Sequence, residues 1–255
     1  MLPLHQTLIL FLAAVAAGII NAVAGGGGFF SFPTLVFMGV PPVNANASGT
    51  VALWPGTLAS TGAYWSELKD DLRKVWPLAI TSALGGLLGA ILLLKTPQLT
   101  FLRMVPWLML AATILFAFAK RITAWVQKEE RRPHGRVVLI GATILQLIVA
   151  VYIGYFGAGA GIVILAMLAI MGVEDIHSMN GLKTLLASCA NGVAVVTFIV
   201  ARTVWWPYTL VMLVGAVLGG YGGAWYAQRL TPGLVRGFVI ATGLVMTAYF
   251  FWKVW

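Results

Sequence analysis

Charge is scarce in this chain. Only 9% of its 255 residues are charged and 60% are hydrophobic, whereas an ordinary soluble domain carries about 25% charge, so a soluble globular fold is excluded. A single cysteine, Cys189, rules out an internal disulfide and a thiolate metal cluster; among Ala, Ser and Asn it reads as a small packing residue. The seven acids (Glu67, Asp70, Asp71, Glu129, Glu130, Glu174, Asp175) fall in loops or at segment edges, which leaves no mid-span carboxylate to relay protons or hold a cation. His5, His134 and His177 are scattered, so no metal constellation exists and no cofactor is expected. Ser188 has no neighbouring His base and no nucleophile elbow. An enzyme would have little to work with.

Apolar sequence is what the chain has in excess, with a mean hydropathy of +0.95. Stretches able to cross about 30 Å of hydrocarbon run over 8–24, 47–65, 76–94, 101–119, 137–155, 182–200, 206–227 and 234–254. Ten Trp, many near span ends, suit an interfacial aromatic belt. The sixteen Lys and Arg that give a net charge of +9 fall mostly in loops and at helix ends, where they orient a membrane protein; nucleic acid is not an expected partner. The N-terminal apolar stretch lacks a basic region before it, and reads as a retained first helix rather than a signal peptide.

One motif occurs twice. Segments 26–40 (GGGFFSFPTLVFMGV) and 159–173 (GAGIVILAMLAIMGV) share six identities in fifteen positions. Trp76-Pro77 returns as Trp206-Pro207, and Gly85/Gly89 return as Gly215/Gly219; small residues four apart place these spans at helix–helix interfaces. The short apolar segments 29–40 and 162–173 rise only about 18 Å as helices, too little to cross. The expected fold is therefore an all-α polytopic membrane protein. It has about eight transmembrane helices in two homologous, parallel four-helix repeats, each with a glycine-broken short or re-entrant segment. The first repeat is 1–119, a basic cytoplasmic linker loop 120–136 and the second repeat 137–255, with both termini inside. Were the short segments to cross, ten spans and inverted repeats would result; Lys/Arg counts of eleven to five or twelve to four do not separate the two, and length favours eight.

Paired glycine breaks in corresponding halves point to a transporter's substrate site. Gly25, Gly26, Gly27 and Gly28, and Gly157, Gly159 and Gly161, bare the backbone at depth, and the helix starts that follow favour anions. Asn180, Lys183, Thr184, Ser188 and Asn191 fall at helical spacing as one polar stripe; Asn46, Thr50, Thr57 and Thr61 form its first-half counterpart, with Lys183 opposite Thr50 at an offset of 133. Lys183, beside Asn and Thr donors, suits a small anion by charge and hydrogen bonding. Arg103, Arg202, Arg229 and Arg236 read as boundary anchors.

These residues resemble a known family. Asn21-Ala22-Val23-Ala24-Gly25-Gly26-Gly27-Gly28, Phe32-Pro33, Met38-Gly39-Val40-Pro41, Ala45-Asn46-Ala47-Ser48 and Pro55-Gly56 are similar to the first half of the sulfite exporter TauE/SafE family. Gly157-Ala158-Gly159-Ala160-Gly161, Met171-Gly172, Asn180-Gly181, Lys183-Thr184 and Asn191 resemble its second half; Gly49 stands where the family often has Asn. The resemblance implies a multi-pass permease of the bacterial inner membrane that exports small sulfur-containing anions such as sulfite, sulfoacetate or related sulfonates. It adds Asn21 to the expected substrate-binding residues. Alternating access is expected from rocking of the two halves, driven by the membrane potential. A channel-like anion facilitator is the nearest alternative, and an integral-membrane enzyme or assembly factor a more distant one. Exposed small-residue faces leave room for a homodimer.

Overall fold

The computed structural model describes residues 3–64, 72–128, 136–173, 175–227 and 232–255. Among these, the chain forms ten helices and no strand. They are α1 (Leu4–Ala24), α2 (Gly28–Phe37), α3 (Pro42–Ala63), α4 (Leu72–Lys95), α5 (Gln98–Lys128), α6 (Arg136–Tyr155), α7 (Ala160–Ile170), α8 (Ile176–Val200), α9 (Trp206–Ala227) and α10 (Pro232–Val254). Five described segments are long and apolar enough to span a bilayer: Leu4–Asn21, Val75–Lys95, Gln98–Phe118, Ser178–Val200 and Gly237–Val254. The protein is multi-pass and all-helical, and α2 and α7, with 10 and 11 residues, are the expected short segments.

Local chemistry sets the breaks. α1 stops at Gly25, whose left-handed φ of 71° lets its N–H return to Asn21 O at 3.0 Å, a conformation that penalises any side chain. Gly159, at φ 78°, is likewise left-handed where α7 begins. α3 starts on Pro41-Pro42, which need no helical N–H partner. α8 starts on Asp175, whose carboxylate accepts the Ser178 N–H at 2.6 Å. Asp175 is the one described acid; Glu67, Asp70, Asp71, Glu129, Glu130 and Glu174 lie outside the described residues, as do Trp65, Lys69, Arg131, Arg132, His134 and Arg229. The 120–136 stretch is not all loop. α5 continues through Lys128, because no helix breaker intervenes before Pro133.

Contacts between helices give their directions. Trp107 packs on Phe251 at 5.0 Å, and Gly243 lies against Thr113, so α5 and α10 are antiparallel. The start of α3 meets the end of α8: Asn44 Nδ2 donates to Thr203 O at 2.8 Å, and Trp205 N–H to Ser48 Oγ at 2.9 Å. α3 and α8 are thus antiparallel too. By contrast α1 and α9 run parallel, with Gly215 against Phe11 O and Gly219 against Val15 O, and so do α4 and α6, with Gly85 against Leu147 O and Gly89 against Val151 O. These are the interfaces expected of the repeated glycines.

The helices of one half keep the same principal neighbours as their counterparts five places on. α1 packs on α9 as α6 packs on α4, α3 on α9 as α8 on α4, and α2 on α10 as α7 on α5. Equivalent helices that run antiparallel require a pseudo-two-fold axis across the bundle, so the halves are inverted. This corrects the parallel four-helix arrangement. α2 and α7 are too short to span, yet each turns the chain back, so each half makes five passes of direction with four long helices. Both chain ends lie at the end where α3 begins, and the α5–α6 connection leaves from the opposite end, since the start of α5 bonds there through Gln98 Oε1 to Val43 N–H at 2.8 Å.

Candidate functional site: two cavities at the glycine breaks

The two glycine breaks face each other at the centre of this fold. A Cβ on Gly25 would sit 4.0 Å from Gly161 Cα, and one on Gly28 would sit 3.6 Å from Ala158 Cβ. Two cavities of about 60 Å³ each flank this junction, room for several waters or one small solute. The first is lined by Gly28, Ser31, Asn46, Gly49, Thr50 and Trp54; the second by Ala160, Gly161, Lys183, Thr184 and Ala187. Asn21, Gly25, Thr57, Gly157 and Asn191 line both. The start of α2 borders one cavity and the start of α7 the other, so each has the positive end of a short helix in its wall.

Among the described residues, Lys183 is the only cation lining either cavity. It is 6% exposed, its stem lies along Gly161 with Cδ 3.2 Å from where a Cβ there would stand, and its Nζ donates to Asn180 Oδ1 at 3.0 Å. Among the described residues no carboxylate forms an ion pair with it. A side chain at Gly161 would crowd the lysine stem, which would have to yield by a few tenths of an ångström. Asn46 Nδ2 donates to Tyr155 O at 3.0 Å and Thr50 Oγ1 to Asn46 O at 2.9 Å, tying the first stripe to the end of α6. Thr184 Oγ1 donates to Gly181 O at 2.8 Å.

Not every expected residue reaches a cavity. Gly26 packs under Phe116, Ile20 and Val239; Gly27 meets Ala17 O, where a Cβ would come within 2.7 Å; Gly159 packs on Ala112. These three serve close packing of the breaks. Asn180 is not among the residues lining either cavity; its Oδ1 accepts from the Lys183 ammonium. Ser188 sits behind the wall, its carbonyl accepting the Trp54 indole N–H at 3.1 Å and its hydroxyl 3.3 Å from Thr61 Oγ1. Counted from the helix starts, Gly49 rather than Thr50 is the equivalent of Lys183, because α3 and α8 begin at Pro42 and Ile176.

Trp54 and Ser31 are cavity residues that sequence reasoning missed. Trp54 continues the Asn46–Thr50 spacing by four and precedes Thr57 by three, a signal masked because tryptophan reads as membrane-belt material. Tyr152 was also unforeseen: its hydroxyl donates to Ala158 O at 2.7 Å and pins the second break.

The chain is similar to several curated bacterial proteins. It is 28% identical over 241 residues to "Probable membrane transporter protein" of Haemophilus influenzae, covering 94% of this chain and 92% of that one. It is 26% identical over 247 residues to "Probable membrane transporter protein ORF9" of a Sinorhizobium species, covering 96% and 92%. With "Probable membrane transporter protein YfcA" of Escherichia coli K12 it shares 29% over 242 residues, covering 94% and 87%. No solved structure matches the chain. The family model described as "Sulfite exporter TauE/SafE" matches residues 10–250. This membrane transporter, not an enzyme, belongs to the sulfite exporter TauE/SafE family.

Proposed function

We propose that the protein exports small sulfur-containing anions, such as sulfite, sulfoacetate or related sulfonates, across a bacterial inner membrane. The observation that carries the reading is Lys183, a buried ammonium in a cavity wall with an amide oxygen as its recorded partner. Burying such a charge costs several kcal/mol unless a counter-charge arrives, and an oxyanion between Lys183 and the start of α7 supplies one. That no acid is among the described residues lining either cavity favours the same sign of solute. Sulfur chemistry comes from the family's description alone.

Orientation follows from charge. Among the described residues, Lys95, Arg103, Arg202 and Lys253 belong to the end with the chain termini, and Arg73, Lys74, Lys120, Arg121, Lys128, Arg136 and Arg236 to the opposite end. The positive-inside rule then makes the 120–136 connection cytoplasmic and both termini external. Outward movement of an anion is driven by an interior-negative potential. The repeats 1–119 and 137–255 are not the moving bodies, because α1 is locked to α9 and α6 to α4 by backbone-to-backbone contact. Alternating access instead moves α1, α3 and α9 against α4, α6 and α8.

The test is equilibrium binding of sulfite, thiosulfate, taurine, sulfoacetate and non-sulfur carboxylates to detergent-purified protein, with Lys183→Met beside the wild type. Losing a charge-assisted hydrogen bond worth about 1.5–3 kcal/mol weakens anion binding roughly 10- to 150-fold. Equal binding by Lys183→Met would refute the anion site. Equal binding of all the carboxylate controls would refute the sulfur preference.

A further inference from the structure

The two cavities stand at different depths in the bundle. Asn46 and Thr50 lie in the early turns of α3, and Lys183 and Thr184 in the early turns of α8. Because these helices run antiparallel, the first cavity lies toward the end bearing the chain termini and the second toward the end bearing the α5–α6 connection. The residues common to both cavities are therefore the wall between them. Three contribute polar side chains: Asn21 from α1, Thr57 from α3 and Asn191 from α8. Asn21 Nδ2 donates to Thr57 Oγ1 at 3.1 Å, and Thr57 Oγ1 donates to Leu53 O at 3.3 Å. Thr57 and Asn191 are equivalent positions, each fifteen residues past the start of its helix.

We propose that the cavities are successive stations for one anion and that Asn21, Thr57 and Asn191 form the polar neck between them. The neck governs passage, and the Lys183 station supplies affinity. This inference rests on the anion-transport reading and assigns the site a direction and an order of events. The stations are chemically unequal, since the position of Lys183 in one is Gly49 in the other. A solute held by charge on the connection side is passed to a neutral station of Ser31, Asn46, Thr50 and Trp54. Amide and hydroxyl donors replace water around an oxyanion in transit, and they do so without the charge that would trap it. An apolar neck of the same size would leave the oxyanion unsolvated at this point.

Two measurements on the full chain in proteoliposomes test this. In the first, radiolabelled sulfite and sulfoacetate report flux and apparent affinity for Thr57→Val, Asn191→Leu and Thr57→Ser. The first two should lower maximal flux at least about 10-fold while apparent affinity stays within roughly 2-fold, and Thr57→Ser should restore flux. Unchanged flux, or affinity that falls as far as in Lys183→Met, overturns the neck. The second needs no substrate. In a Cys189→Ala background, Thr50→Cys and Thr184→Cys are labelled with a membrane-impermeant thiol reagent from one face or the other. Thr50→Cys should react faster from the face of the chain termini and Thr184→Cys faster from the face of the connection. Labelling of both from the same face overturns the two stations. The expected labelling without sulfite or sulfoacetate binding in the wild type would instead fault the substrate reading and leave the path standing.

Discussion

Replacing Gly219 with alanine should separate α1 from α9. A Cβ at Gly219 would stand 2.1 Å from Val15 O, and both Val15 C and Val15 Cα lie at 2.8 Å. A comfortable C···O separation is about 3.3 Å, so the shortfall is about 1 Å, against backbone on both sides. No side-chain rotation relieves it; the helices must move apart along their whole contact. A gap of that size forfeits a quarter to a half of each dispersion contact it opens, and overpacking of this kind costs about 1–3 kcal/mol. Alanine's better helix propensity returns at most about 1 kcal/mol. Gly222→Ala on the same helix has open space and receives the propensity gain alone, so the pair of variants isolates the clash at about 1–3 kcal/mol. In a chain of this size that is an apparent melting difference of roughly 2–12 °C. Gly89→Ala is its inverted-repeat equivalent, with a Cβ 2.1 Å from Val151 O. It should fall by a similar amount relative to Gly141→Ala on α6, where nothing lies within 4 Å. Tryptophan-fluorescence melting in detergent is the assay. If Gly219→Ala and Gly89→Ala melt with their open-space controls, the exchanged-helix packing is wrong, and rocking of the two sequence halves becomes available again.

Two further outcomes follow from the same contacts. Gly25→Ala has space for its methyl but adopts φ 71°, so it should lose only the left-handed backbone cost of about 1–2 kcal/mol; Gly159→Ala, at φ 78° with Ala112 Cβ 3.2 Å away, should melt lower still, and the reverse order would contradict the packing of the breaks. In spheroplasts, tags at either chain end should be reached by external protease while a cleavage site placed within 129–135 is protected; the opposite pattern would invert the proposed orientation.

Much of the fold was legible in the residues. Hydrophobic runs marked eight long helices, and the doubled glycine clusters marked the two short ones with their breaks. The Gly85/Gly89 and Gly215/Gly219 pairs announced close helix contacts, which the backbone carbonyls of Leu147, Val151, Phe11 and Val15 supply. Direction was not legible, because a ten-residue helix too short to span still reverses the chain, and length alone gives no sign of it. The candidate site divides the same way. Lys183, Thr184, Asn46, Thr50 and Asn191 were readable from polar residues at helical spacing. Gly26, Gly27 and Gly159 share the cluster's composition yet face packing neighbours, and only their surroundings distinguish them from Gly25, Gly28, Gly157 and Gly161. Trp54 was hidden by a residue type that usually marks the membrane interface.

Sequence by itself determined what must be buried in lipid, where the backbone breaks and which polar residues share a helical face, since each depends on neighbours within a few residues along the chain. Tertiary structure decided that the halves are inverted, that the first helix of each packs on the fourth of the other, and that one polar stripe carries charge where its equivalent carries glycine. Those outcomes depend on contacts between residues more than a hundred positions apart, such as Asn44 with Thr203 and Trp54 with Ser188, whose pairing no local pattern encodes.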